Sequence, residues 1–169
     1  IYLYDNDGGE YLSSDGNTLT ITADASSAMK LDGNSRISLS NNDSGNYNTV
    51  FGYGAGMPTG TNSNNNVIIG HQTFDSVAND GASGNTFVGY RVARGNPTDA
   101  TDYNVGIGYA ALSALTTGDS NVCVGTSAGI AITEEADVVA IGRGAGASIE
   151  HTDADGTVAI GHSALTALT

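Results

Sequence analysis

Apolar and polar positions follow two different rhythms along this chain, and the change of rhythm falls near residue 45. Before it, the runs IYLY (residues 1–4), LTIT (19–22) and ISLS (37–40) begin 18 residues apart. Each alternates an apolar residue with another class, the pattern of a strand buried on one face. The turns Asp15-Gly16-Asn17-Thr18 and Asp32-Gly33-Asn34-Ser35 precede the second and third runs, and Asp7-Gly8 is placed to turn the first. Residues 1–45 therefore predict a short β-strand stalk or meander, and the polar run NNDSGNY (residues 41–47) reads as its boundary.

From residue 46 to residue 169 a different pattern takes over. The phrases NTVFG, NVIIG, NTFVG, NVGIG, NVCVG, VVAIG and TVAIG end on Gly52, Gly70, Gly89, Gly108, Gly125, Gly142 and Gly161, with gaps of 18, 19, 19, 17, 17 and 19 residues. A period held while the intervening sequence drifts is the signature of a solenoid, one phrase to each coil. The expected fold is all-β, a parallel β-solenoid of about seven coils.

Reading the phrases as columns shows which side chains share a face. One residue before each Gly stand Phe51, Ile69, Val88, Ile107, Val124, Ile141 and Ile160; three before stand Thr49, Val67, Thr86, Val105, Val122, Val139 and Val158. Side chains two apart on a strand point the same way, so these columns form one apolar wall. The residue between them, Val50, Ile68, Phe87, Gly106, Cys123, Ala140 or Ala159, points the other way and is also apolar. A strand apolar on both faces is buried on both. A coil has one inside, so the second face predicts cover by sister chains in a symmetric homo-oligomer; three chains are favoured, and the sequence does not separate three from two.

Four residues before the Gly runs a polar column, Asn48, Asn66, Asn85, Asn104 and Asn121, replaced by Val138 and Thr157 in the last two phrases. Stacked amides can hydrogen-bond along a ladder of strands and lock its register, so this column reads as a structural ladder. The Gly itself suits a positive φ or a close approach to the neighbouring coil. Immediately after it come Tyr53, His71, Tyr90, Tyr109, Thr126, Arg143 and His162. Rings on successive rungs make a stripe that either stacks on sugars or packs on itself, and Tyr53, His71, Tyr90, Tyr109, Arg143 and His162 are the candidate receptor-contact column.

Composition narrows the partners. The formal net charge of −13, with 5 Lys and Arg against 18 Asp and Glu, leaves no basic patch for nucleic acid. No apolar run is long enough to cross a bilayer as a helix, so membrane insertion is not expected. The single Cys123 sits in a strand column and reads as a buried small thiol, with no disulfide or thiolate metal knuckle available. The first residue is not Met and the last phrase stops in mid-repeat, from which a fragment of a longer chain is expected.

Catalytic chemistry has little support. The nearest carboxylate pairs, Glu134 with Glu135 and Asp99 with Asp102, lie in polar loops without an apolar pocket to separate their pKa values. His71 and His162 share a column but stand five coils apart, and His151 lies in a loop with Asp153 and Asp155, so no metal site is expected. No catalytic residue and no cofactor is assigned.

The phrases NNVIIG, NTFVGY, NVGIGYAAL and TVAIGHSAL resemble the repeats of trimeric autotransporter adhesin heads, which are left-handed parallel β-rolls. Residues 104–121 (NVGIGYAALSALTTGDSN) look closer still to the longer repeats of bacteriophage tail fibres, and the segment GGEYLSSDGNTLTIT resembles one found ahead of such repeats. The resemblance implies a homotrimeric fibre in which the Val and Ile columns fill each chain's own roll and the small column lies near the three-fold axis. It further implies a non-enzymatic spacer and adhesin on a virion tail, with a host cell-surface glycan or protein and other fibre or tail proteins as partners. A bacterial surface adhesin head, extracellular rather than viral, and a fibre-borne polysaccharide-degrading enzyme are the alternatives. An ice-binding solenoid would need a flat Thr array, and the threonines here scatter across columns.

Overall fold

The computed structural model describes residues 11–14, 19–23, 26–31, 37–38, 47–56, 63–75, 81–95, 101–149 and 154–166. Strands β1 (Tyr11–Ser14), β2 (Leu19–Ala23) and β3 (Ser26–Leu31) form an antiparallel sheet in the order β1-β2-β3. LTIT lies in β2, and ISLS begins in β4 (Ile37–Ser38). The run IYLY and the three Asp-Gly turns lie outside the described residues. β1 and β3 were not expected, because neither YLSS nor SSAMKL alternates cleanly. Both pair along the two edges of the alternating β2, so the ladder rather than their own pattern makes them strands.

The repeats form a parallel β-solenoid of about five turns, all-β in character. Its strands are β5 (Thr49–Phe51), β6 (Val67–Ile69), β7 (Thr86–Tyr90), β8 (Val105–Tyr109), β9 (Val122–Val124), β10 (Val139–Ile141) and β11 (Val158–Ile160). Each pairs in parallel with the next, column on column: Val67 opposite Thr86, Phe87 opposite Gly106, Ala140 opposite Ala159. β4 pairs antiparallel with β5 and covers that edge of the ladder, as exposed edges require.

Which face is inside is the reverse of what the resemblance implied. The middle residue of every strand is buried, Val50, Ile68, Phe87, Cys123, Ala140 and Ala159 all at 4% exposure or less. The Val and Ile columns face outward, with Phe51 at 55%, Ile107 at 38% and Ile160 at 64%. The small column therefore fills the coil and the large column forms its outer wall. The physical reason lies in the loops, which bring their own bulk inward. A Cβ on Gly106 would meet Val92, Phe87 and Leu112; one on Gly129 would meet Cys123 and Ile132; one on Gly146 would meet Ala140 and Ile149. Leu112, Leu115, Ile132 and Ile149 are all at 1% exposure or less, and they occupy the volume that shrinking strand residues vacate.

The glycine column has positive φ throughout, and all its members but Gly161 also approach the next coil closely. Its φ values run from 122° to 143°, a region L-residues rarely enter. A Cβ on Gly108 would also lie 2.6 Å from the carbonyl oxygen of Gly125 on the next coil. After each Gly the backbone then alternates, with positive φ two and four residues later: Gln72 and Phe74, Arg91 and Ala93, Ala110 and Leu112. These turns are bonded from coil to coil like strands. Ala110 N–H donates to Tyr90 O at 2.9 Å and Leu112 N–H to Ala128 O at 3.0 Å, one toward each neighbouring coil. The stacked turns thus satisfy their own backbone groups without β geometry.

Candidate functional site

The asparagine column sits inside the coil, with all five side chains buried. Asn66, Asn85 and Asn104 each donate Nδ2 to the Oδ1 of the asparagine before, at 3.1, 3.1 and 3.3 Å. These three oxygens and Asn104 Oδ1 accept the backbone N–H of the following rung, Asn66, Asn85, Asn104 and Asn121, at 2.9 Å each. Each Nδ2 also crosses its coil to a loop carbonyl: Ser63, Ala82, Thr101, Gly118 and Glu135 in turn, at 2.7 to 2.9 Å. The run ends on Val138, whose N–H donates to Asn121 Oδ1 at 2.9 Å. Val138 has no side-chain acceptor to offer the next rung, and there Thr157 N–H turns to Ala154 O at 3.1 Å. A local turn replaces the missing amide.

The ring stripe lies at the outer end of the strands, and its members pack on one another. Tyr53 and His71 meet edge to face at 5.2 Å between centroids, His71 and Tyr90 edge to face at 5.3 Å, and Tyr90 stacks on Tyr109 at 5.3 Å. Arg143 contacts His162 further along the same column. Since Tyr90 and Tyr109 cover each other's faces, the stripe offers solvent mainly ring edges and hydroxyls; Tyr53 and Tyr109 are each more than half exposed.

Two exposed aromatics escaped the sequence reading: Tyr47 at 76% and Tyr103 at 68%. Each precedes a ladder asparagine and has positive φ, 61° and 57°. The Tyr103 ring lies over Gly84 on the preceding coil. Their signal was the Tyr-Asn dipeptide, Tyr47-Asn48 and Tyr103-Asn104, present in two repeats only.

The acidic residues also take up structural places. Asp102 Oδ1 accepts the N–H of Ser83, and Asp119 Oδ1 accepts the N–H of Asp102, both at 2.6 Å; Asp155 Oδ1 does the same for Ala136 at 2.7 Å. Burial raises the Asp119 carboxyl above its usual 3.8; the Asp102 N–H opposes this, while the charges of Asp102 and Asp137 add to it. Glu135 is buried, and its Oε2 accepts from the backbone of Thr133 at 2.7 Å and Glu134 at 3.1 Å, closing its own turn. Asp99 and His151 lie outside the described residues. Cys123 is buried, and that burial pushes its thiol up to about 12.

Among the described residues no helix is long and apolar enough to cross a membrane. No protein-family model, curated protein or solved structure gives a match to this chain.

Proposed function

We propose that the chain is a segment of a viral tail fibre, a homotrimer of left-handed rolls of about seven coils that acts as a rigid spacer and presents its edge to a host surface. The observation that carries this reading is the outer wall. Two adjacent columns of Val, Ile, Thr and Phe run down the ladder from β5 to β11 without one charged side chain, in a molecule of net charge −13. At about 4.8 Å per strand the wall is on the order of 30 Å long, and a contiguous exposed apolar strip of this kind marks an interaction surface. A wall that repeats its chemistry on every rung fits another copy of itself at every rung, which favours closed rotational symmetry over a single foreign partner. The repeats that resemble tail-fibre units point to three copies and to a virion.

The role proposed is mechanical and non-catalytic. Three chains carry three identical sets of ring edges and loops, so weak contacts to a surface add through effective concentration. Immunogold electron microscopy tests the viral assignment: an antibody to this chain should decorate the tail fibres of virions whose genome encodes it. Label absent from those virions, or confined to their capsids, contradicts it.

A further inference from the structure

The chain has only 5 Lys and Arg, and two of them, Arg91 and Arg94, line a single groove. Its other walls are Tyr109, Ala110, Ser113 and Ile130, and it is an open depression of about 340 Å³. Arg91 is held in place before any ligand arrives. Its Nε–H donates to Gln72 Oε1 at 3.2 Å, and its guanidinium carbon stands 5.1 Å from the centre of the Tyr90 ring. That hydrogen bond uses Nε alone and leaves the two terminal nitrogens for a second partner. Arg94 is exposed on the next turn. A Cβ on the following residue, Gly95, would collide with the carbonyl of Ala114, so the turn carrying Arg94 rests directly on the coil that supplies Ser113.

Among the described residues neither arginine forms an ion pair. Two guanidiniums beside a phenol and a hydroxyl form an anion site. The planar fork of arginine matches a carboxylate in a two-bond geometry. Ala110, Ile130 and the edge of the Tyr109 ring add apolar contact for the C–H groups of a sugar. The geometry points to this groove as a binding site for the carboxylate of an acidic sugar, held by Arg91 and Arg94. None of its lining residues belongs to the outer wall, so the site does not depend on self-association.

Saturation-transfer NMR on the full chain at 0.15 M salt, with galacturonate as probe and galactose as its neutral control, tests the assignment. Galacturonate should bind saturably and galactose should not. Arg94→Gln, a change at an exposed side chain, should weaken binding at least tenfold while the unfolding temperature stays put, and Arg91→Gln should weaken it as well. No saturable galacturonate signal, or Arg94→Gln titrating as the parent does, overturns the site. Equal binding of galactose would overturn its charge selectivity, and tighter binding of glycerol 3-phosphate would replace the carboxylate with a phosphate.

Discussion

Asn85 shows how one side chain can fix the register of three coils. Its N–H reaches back to Asn66 Oδ1, its Oδ1 accepts both nitrogens of Asn104, and its Nδ2 spans the coil to Thr101 O. Asn85→Ala removes the acceptor from the buried Asn104 N–H, and an unsatisfied buried group costs about 1–3 kcal/mol. With the other lost bonds, urea unfolding should register a loss of about 3 kcal/mol, and a loss below 1 kcal/mol would deny the ladder its role. Asp119 makes the opposite case, a useful acceptor that carries an unwelcome charge. Its folded pKa is raised, so the fold binds the proton more tightly than the unfolded chain does, and stability falls as pH rises through that range. Asp119→Asn keeps the acceptor for Asp102 N–H and drops the repulsion. The variant should melt at least as high as the parent at pH 7, and the advantage should vanish well below pH 3.8, where the parent's carboxyl is protonated in both the folded and unfolded chain.

At the scale of the element, the decisive feature is the turn that follows each strand. Gly108 enters it at φ 136° with the Gly125 carbonyl where a Cβ would go. Gly108→Ala therefore meets both backbone strain and a backbone clash that no side-chain movement relieves, and should cost about 3 kcal/mol or more in a thermal or urea melt. A variant that loses under 1 kcal/mol would contradict the close stacking of the coils. Much of this element was legible in the sequence. The recurring glycines gave the period, the column pattern gave strands with two distinct faces, and the asparagines marked a polar column. What stayed hidden has physical reasons. Both strand faces are apolar, so alternation separated them without saying which was inside; that depended on Leu112, Ile132 and Ile149 arriving from loops whose contacts no local pattern encodes. The alternating turn was equally silent, because several of its positive-φ positions are Gln72, Phe74, Arg91 and Leu112 rather than glycine or asparagine. The groove at Arg91 and Arg94 joins side chains from three successive repeats, and no single repeat announces it.

For the whole molecule, the reversal of inside and outside changes which residues would hold copies together in the proposed trimer. With the small column filling the coil, the proposed association would fall to the branched side chains of the wall: Val105, Ile107, Val122, Val139 and Ile141 at its centre. The joint variant Ile107→Asp with Ile141→Asp places charges on outward positions that the interior does not use. It should abolish self-association, because a buried unpaired carboxylate is strongly penalised, while changes on the ring stripe should leave association intact. Sedimentation equilibrium of the unmodified chain is the most direct test. One chain weighs 17.0 kDa, so the account requires a species of three times that mass that persists on dilution to micromolar concentration. A well-folded species of 17.0 kDa would contradict it, since the outer wall would then stand uncovered in water.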